Sequence, residues 1–116
     1  MDEAEFRRRT KKLALWVIPL VDELPNTKSS RVIANQLIRS GTGVGSNYRA
    51  ACCAKSKTDM AVKMGTVIEE ADETVYWLEL LVEANMVTKE RVAHVHQEAS
   101  EIFLMATSSR KTLRGD

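Results

Sequence analysis

The sequence predicts an all-α protein, an up-and-down antiparallel four-helix bundle. The 116 residues include only five glycines, two prolines and six aromatic residues, a composition that disfavours a β-sandwich or a disordered chain. Apolar side chains return at steps of three and four along four segments, and short polar breaks separate these segments. A chain of this length forms one domain with its own core, so we assign residues 1–116 to a single bundle.

The first helix is expected over residues 3–24. Pro19 falls inside it and should bend the helix or remove one hydrogen bond. Thr27 or Ser29 can cap the next helix. The apolar positions of this segment are Phe6, Leu13, Trp16, Val17, Leu20 and Leu24.

The second helix is expected over residues 28–54, and much of its inward seam is small or polar. Gly41, Gly43 and Gly45 each cost about 1 kcal/mol in a helix relative to Ala. Tertiary packing must therefore hold this stretch helical, and we expect a neighbouring helix to approach its backbone closely. The seam follows a heptad pattern: Ile33, Leu37, Ser40, Val44, Asn47, Ala51 and Ala54.

The third helix is expected over residues 57–85, where Ser56 and Asp59 have the spacing of a capping box. Its seam continues the heptad through Met60, Met64, Val67, Ala71, Thr74, Leu78, Leu81 and Asn85, and Ile68, Val75 and Val82 widen it.

The fourth helix is expected over residues 89–113, with Thr88 as its N-cap. The short connections between the four segments favour antiparallel neighbours. The fourth seam runs through Val92, Val95, Ala99, Ile102, Ala106, Ser109 and Leu113.

Charge is divided unevenly along the chain. Residues 1–63 hold twelve Lys and Arg against six Asp and Glu, a net +6, while residues 64–116 hold five against ten, a net −5. Two interpretations stay open: a basic face for an anionic partner, or attraction between the halves within one bundle or between subunits.

The sequence contains no pattern typical of a catalytic, cofactor-binding or metal-binding site. Residues 41–45 have neither the glycine spacing nor the preceding strand of a nucleotide-binding loop. No Glu-x-x-His pair of a di-iron bundle occurs, and His94 and His96 are expected at the surface near Glu90 and Glu98. Adjacent Cys52 and Cys53 suit neither an ordinary disulfide nor a Cys-x-x-Cys site. We therefore predict a protein that is not an enzyme and has no cofactor, metal or catalytic residues.

The longest apolar run covers residues 13–21, contains Pro19, and is far shorter than the roughly 20 residues that cross a bilayer. The N-terminus also lacks the charge order of a secretory signal. We expect a cytoplasmic protein without membrane association.

Polar side chains lie near the inner faces of helices two and three. Arg39 and Glu73 both fall at mid-helix and are expected to meet across the antiparallel pair. We interpret the set either as a binding surface or as a hydrogen-bonded network that fixes register or subunit contacts. If the pair is deeply buried, removing one partner should cost roughly 3 to 5 kcal/mol. The predicted network contains Arg39, Asn47, Glu70 and Glu73, with Ser40 beside it.

Five motifs together resemble the bacterial four helix bundle protein family, whose members are also described as intervening-sequence proteins because some are encoded within insertions in large-subunit ribosomal RNA genes. The resemblance covers nearly the whole chain. The motifs are residues 36–40 (QLIRS), 45–49 (GSNYR), 56–59 (SKTD), 69–81 (EEADETVYWLELL) and 98–102 (EASEI).

The resemblance implies an all-helical protomer that assembles as a homopentamer around a central channel. It also implies a relation to accessory proteins of diversity-generating retroelements, similar pentamers that bind a reverse transcriptase and nucleic acid. RNA or DNA and a reverse transcriptase or another protein are therefore the expected partners.

Two functions remain as hypotheses. In the first, basic side chains contact the phosphates of RNA or DNA without reading sequence. In the second, Trp16, Tyr76 and Trp77 anchor a partner or a sister subunit, since aromatic residues are enriched at interfaces, and nucleic acid has no role. The principal phosphate-contacting candidates are Arg31, Arg39, Arg49, Lys55, Lys57 and Lys63, and the wider set adds Arg7, Arg8, Arg9, Lys11 and Lys12.

Overall fold

A computed structural model describes residues 2–115, and within this range it contains four helices and no strand. Each helix begins at the residue expected from the sequence and ends within two residues of the expected position. The helices are α1 (Glu3–Asp22), α2 (Lys28–Cys52), α3 (Lys57–Glu83) and α4 (Lys89–Arg114).

The helices form an antiparallel square in chain order. Helix α1 packs on α2 and α4, and α3 packs on α2 and α4. Arg9 of α1 contacts Glu98, whereas Glu23, which follows the end of α1, contacts Arg91 near the start of α4, so these two helices run in opposite directions. The resulting bundle measures 45 × 21 × 21 Å. Helices of up to 27 residues therefore lie along its length.

A side-chain oxygen caps the start of every helix by accepting a hydrogen bond from the backbone N–H three residues later, which satisfies one of the unpaired donors of the first turn. The carboxylate of Asp59 accepts from the backbone N–H of Lys55 rather than from that of Ser56, so the expected capping box is displaced by one residue. The caps are Asp2, Thr27, Ser56 and Thr88.

The core follows most of the expected seam in α3, where Ala61 is buried in place of Met60 and Asn85 is exposed, and it departs from the expected seam in α2. Ala34 and Tyr48 are buried in α2, whereas the neighbouring seam positions Ile33 and Asn47 are only half-buried. Buried positions 30, 34, 37, 41, 44, 48 and 51 still alternate at steps of four and three, so α2 keeps the heptad spacing and buries a neighbouring stripe that shares positions 37, 44 and 51 with the expected one. Seam residues Leu37, Ser40, Val44 and Ala51 are buried as expected.

Close helix approach at the glycines of α2 is confirmed. A Cβ atom on Gly41 would lie 2.9 Å from Val17 Cγ2, and one on Gly45 would lie 3.3 Å from Thr10 Oγ1. Both distances are shorter than ordinary carbon contacts, so α1 packs on α2 at a spacing that larger residues would prevent. No helix within residues 2–115 combines the length and apolar character needed to cross a bilayer.

Candidate nucleic-acid interface

Charge in the folded chain is divided between the two ends of the bundle. Residues 2–12, 41–70 and 102–115 form the half that contains the α2–α3 connection, which we call the basic end, and hold twelve Lys and Arg against six Asp and Glu. The remaining described residues hold five against nine. The C-terminal turns of α4 thus join the basic end, although they belong to the acidic half of the sequence.

A groove of about 560 Å³ runs along the surface between α1 and α2 at the basic end. The close approach of Thr10 and Gly45 forms the floor of this groove. Residues 7, 11 and 14 line it from α1, because steps of three and four place side chains on one helix face. This α1–α2 groove is lined by Arg7, Arg8, Thr10, Lys11, Ala14, Thr42, Gly45, Ser46 and Arg49.

The cations of this groove are mostly without counter-ions. Arg7 pairs with Glu3 at 3.2 Å on the surface. Within residues 2–115, no carboxylate lies within 4 Å of the charged groups of Arg8, Lys11 or Arg49. Three like charges in one groove repel each other, and an anionic ligand relieves that repulsion.

The six principal phosphate-contacting candidates are dispersed over the bundle. Arg49 lies in the α1–α2 groove, and Lys55 and Lys57 are exposed in the α2–α3 connection and the first turn of α3. Lys63 is also at the basic end, but its Nζ pairs with Asp59 Oδ2 at 2.9 Å.

The other two candidates lie away from the basic end. Arg31 is in the first turn of α2 at the opposite end, where Nη1 donates to Asn26 Oδ1 at 2.9 Å. Arg39 lies at mid-bundle and pairs with Glu73 at 2.7 Å. The structure therefore does not bring these two cations together with Arg49.

The polar network between α2 and α3 is more exposed than the sequence suggested. The side chains of Arg39 and Glu73 are 51% and 40% exposed, so the cost of 3 to 5 kcal/mol that deep burial implies does not apply, and an exposed pair contributes about 1 kcal/mol or less. Asn47 instead donates to Gly43 O within α2 at 2.8 Å. The expected four-residue network is thus reduced to Arg39 and two carboxylates.

Glu70 is the buried member of this network. Its side chain is 13% exposed, Arg39 reaches Oε1 only at 3.5 Å, and Oε2 is buried without a hydrogen-bond partner. Burial and the negative charge of Glu73 raise the pKa of Glu70 above its ordinary value, and the opposing attraction of Arg39 does not compensate.

The three expected interface aromatics differ in exposure. Trp16 is half-buried against His94, with ring centroids 4.1 Å apart, so it joins α1 to α4 within the chain. Trp77 is half-buried and its Nε1 is enclosed. Tyr76 remains 55% exposed and meets the Trp77 ring edge-on. Tyr76 is therefore the aromatic most available to a partner.

His96 contacts a different helix from the one expected. The sequence placed it near Glu90 and Glu98, but its Nε2 lies 2.8 Å from Glu79 Oε2 on α3. Among the described residues, no group of three or more His, Cys, Asp or Glu side chains is arranged to hold a metal ion.

Arg9 was expected among the phosphate-binding residues, but it forms a polar contact between α1 and α4. Its guanidinium donates to Glu98 and, at 2.9 Å, to Glu101. Hydrogen bonding to Glu98, reinforced by Glu101, raises the pKa of Arg9. The side chains of Arg9 and Glu98 are only 21% and 12% exposed, so this cation is committed to the fold.

Sequence reasoning also missed two arginines at the basic end, Arg110 and Arg114 of α4. They belong to the half of the sequence with net negative charge. The signal that finds them is topological, since the last turns of α4 lie beside the first turns of α3 in an up-and-down bundle.

Comparison with known proteins identifies the family. A family model described as 23S rRNA-intervening sequence protein matches residues 2–108. A crystal structure of a protein with unknown function from the S23 ribosomal protein family of Bacteroides thetaiotaomicron is 32% identical, covers 91% of this chain and 98% of its own, and superposes with a TM-score of 0.85. No curated protein matches the chain. The chain therefore belongs to the 23S rRNA-intervening sequence protein family.

Proposed function

We propose that the chain is a non-catalytic binding module that holds the phosphate backbone of RNA or DNA in the α1–α2 groove. The observation that carries the proposal is the convergence of Arg8, Lys11 and Arg49 on one groove with no carboxylate within 4 Å among the described residues. Lys and Arg side chains that neutralise phosphates release condensed counter-ions, and this release supplies most of the affinity of non-specific binding.

The groove favours backbone contacts over base contacts. The nearest aromatic rings are Phe6 and Tyr48, which stack on each other at 4.3 Å and are only 3% and 5% exposed. Neither ring is available to stack on a nucleic-acid base, which is how many single-strand binders gain affinity. Binding should therefore show little sequence preference.

We further propose that the protomers assemble into a homopentamer. Support comes from the sequence resemblance and from large apolar side chains left outside the core, with Tyr76 as the exposed aromatic. Repeated grooves on one ring can engage the same strand and gain avidity. The exposed apolar side chains are Leu15, Ile18, Val32, Val62, Tyr76 and Leu104.

The assembly is tested by light scattering coupled to size exclusion. We expect a pentameric mass for the wild type and a smaller mass for Tyr76→Ala at micromolar concentration. A wild-type monomer throughout that range contradicts the proposed assembly.

Binding is tested by fluorescence anisotropy with labelled RNA and DNA. Arg8→Gln, Lys11→Gln and Arg49→Gln together remove three exposed groove cations. The matched control is the triple variant Lys28→Gln, Arg31→Gln and Lys89→Gln, which removes three exposed cations from the opposite end. We expect the groove variant to lose affinity and the control to bind as the wild type does. If both triple variants lose the same affinity, the loss reflects only the lower net charge, and this result would contradict a binding site in the groove.

A protein-interaction scaffold is the second candidate, and the 55% exposure of Tyr76 favours it. In this case the basic end binds protein and not nucleic acid. It contacts either acidic residues from the second half of a neighbouring subunit's sequence or a protein partner such as a reverse transcriptase. The groove variant would then lose assembly or partner binding, and an intact wild-type oligomer would bind no nucleic acid even at low salt.

A further inference from the structure

A second cationic groove lies between α3 and α4. It has a volume of about 400 Å³ and combines the first turns of α3 with the last turns of α4. None of the six side chains that line it is a carboxylate. This α3–α4 groove is lined by Thr58, Ala61, Val62, Arg110, Leu113 and Arg114.

Arg110 is the informative residue of this groove. Its Nε is buried without a hydrogen-bond partner, and its guanidinium packs over Gly65, where a Cβ atom would lie 3.4 Å from Nη1. Nε itself is closed to a ligand, but the residue as a whole is only half-buried, and an anion in the groove compensates a guanidinium that the protein leaves without an acceptor at Nε. The residue thus has the environment of an anion-binding arginine more than that of a solvated surface charge.

The two grooves face opposite sides of the same end of the bundle. Because the helices follow one another around a square, the α1–α2 face is opposite the α3–α4 face. The bundle is 21 Å across. Lys55, in the α2–α3 connection, and Lys57, the first residue of α3, lie between the grooves at this end, and both are exposed.

We infer that one nucleic-acid strand passes from the α1–α2 groove, over Lys55 and Lys57, into the α3–α4 groove. The inference rests on the proposed function and adds a path and a minimum length to it. Along the axis of a stacked strand the phosphates are spaced roughly 3.4 Å apart, so a path of the bundle's width takes at most about six phosphates, and fewer where the strand is extended. A small anion such as inorganic phosphate fills one groove at a time, so only a polyanion connects the two.

The test compares two single-stranded thymidine oligonucleotides, one of about 2 nucleotides, which is too short to cross the bundle even when extended, and one of about 16, which is longer than the path even when stacked. Affinities are measured by anisotropy for the wild type, Arg110→Gln, Arg110→Lys and the groove variant of Arg8, Lys11 and Arg49. Lys89→Gln is the matched control, since it removes one exposed cation from α4 at the opposite end. Circular dichroism melting verifies that each variant is folded.

We expect Arg110→Gln to weaken binding of the long oligonucleotide and to leave the short one unchanged. One lost phosphate contact on a single strand reduces the log-log salt slope by about 0.7, which is about fivefold in affinity between 1 M and 0.1 M salt. Arg110→Lys should keep the slope because it keeps the charge. If Arg110→Gln does not fold, Lys55→Gln with Lys57→Gln replaces it, and the same length dependence is expected.

The outcomes separate this inference from the proposed function. If the groove variant weakens binding but Arg110→Gln and the Lys55 and Lys57 pair bind the long oligonucleotide as the wild type does, the path is wrong and the proposed function stands. Equal weakening of both oligonucleotides by Arg110→Gln also overturns the path. If the wild type binds neither oligonucleotide at low salt, both proposals are overturned.

Discussion

The carboxylate of Glu70 lies against the backbone of Gly43, where a Cβ atom on residue 43 would come 2.8 Å from Oε2. That oxygen is buried without a hydrogen-bond partner. Helix α2 therefore lacks a side chain at the point where α3 places the Glu70 carboxylate, whose charge is only weakly balanced by Arg39. This relationship contributes to the pH dependence of stability and decides the effect of substitution at Gly43.

Glu70→Gln should stabilise the protein at neutral pH and not under acidic conditions. The pKa of Glu70 is raised in the folded state, so the folded state binds its proton more tightly than the unfolded state does. This carboxyl therefore favours folding below its unfolded pKa, and the contribution is lost as pH rises through the folded pKa. Urea unfolding at pH 7 and near pH 4 should show a larger gain from Gln at pH 7. A gain that is the same at both pH values would contradict the assignment.

Alanine at two glycines of the same helix should have opposite effects. Gly43→Ala meets only the end of the Glu70 side chain, which can turn towards solvent, so the helix propensity of Ala should stabilise the protein by up to about 1 kcal/mol. Gly41→Ala meets Val17 in the core at 2.9 Å. Overpacking typically costs 1 to 3 kcal/mol, which leaves a net loss of up to about 2 kcal/mol. Thermal unfolding of the two variants side by side distinguishes them, and equal shifts would contradict this packing.

Two arginines that form interhelical ion pairs should differ in their contribution to stability. Arg9→Met leaves Glu98, whose side chain is 12% exposed, without its partner and should cost roughly 1.5 to 3 kcal/mol. Arg39→Met breaks a pair that is about half exposed and should cost about 1 kcal/mol or less. Double-mutant cycles with Glu98→Gln and Glu73→Gln measure the two coupling energies. A larger coupling for Arg39 with Glu73 would contradict the burial seen here.

The helices were predictable because their signals are local. Side chains at Thr27, Ser56 and Thr88 cap the helices that the apolar periodicity outlined, and short connections restrict the topology. The shift of the α2 seam from Asn47 to Tyr48 was not predictable from a heptad pattern. The expected and the observed stripe have the same spacing and share Leu37, Val44 and Ala51, so periodicity alone does not choose between them and the packing of the neighbouring helices does.

The candidate site was less predictable because charge alone does not give position. Lys63 and Arg39 have the same formal charge as Arg49, yet only Arg49 lies in the α1–α2 groove, and the other two pair with carboxylates brought close by helix geometry. Arg110 was overlooked because it belongs to the half of the sequence that has a net negative charge. Its assignment to the basic end requires the antiparallel register of α3 and α4.

The salt dependence of nucleic-acid binding tests the central claim most directly. Observed affinities for a single-stranded oligonucleotide should fall linearly on a log-log plot against salt, with a slope of about −0.7 for each phosphate neutralised. The triple variant of Arg8, Lys11 and Arg49 should reduce the magnitude of that slope by about 2.1. The control triple at Lys28, Arg31 and Lys89 should leave it unchanged. A wild-type slope near zero, or one that the groove variant does not alter, would contradict phosphate binding in the α1–α2 groove.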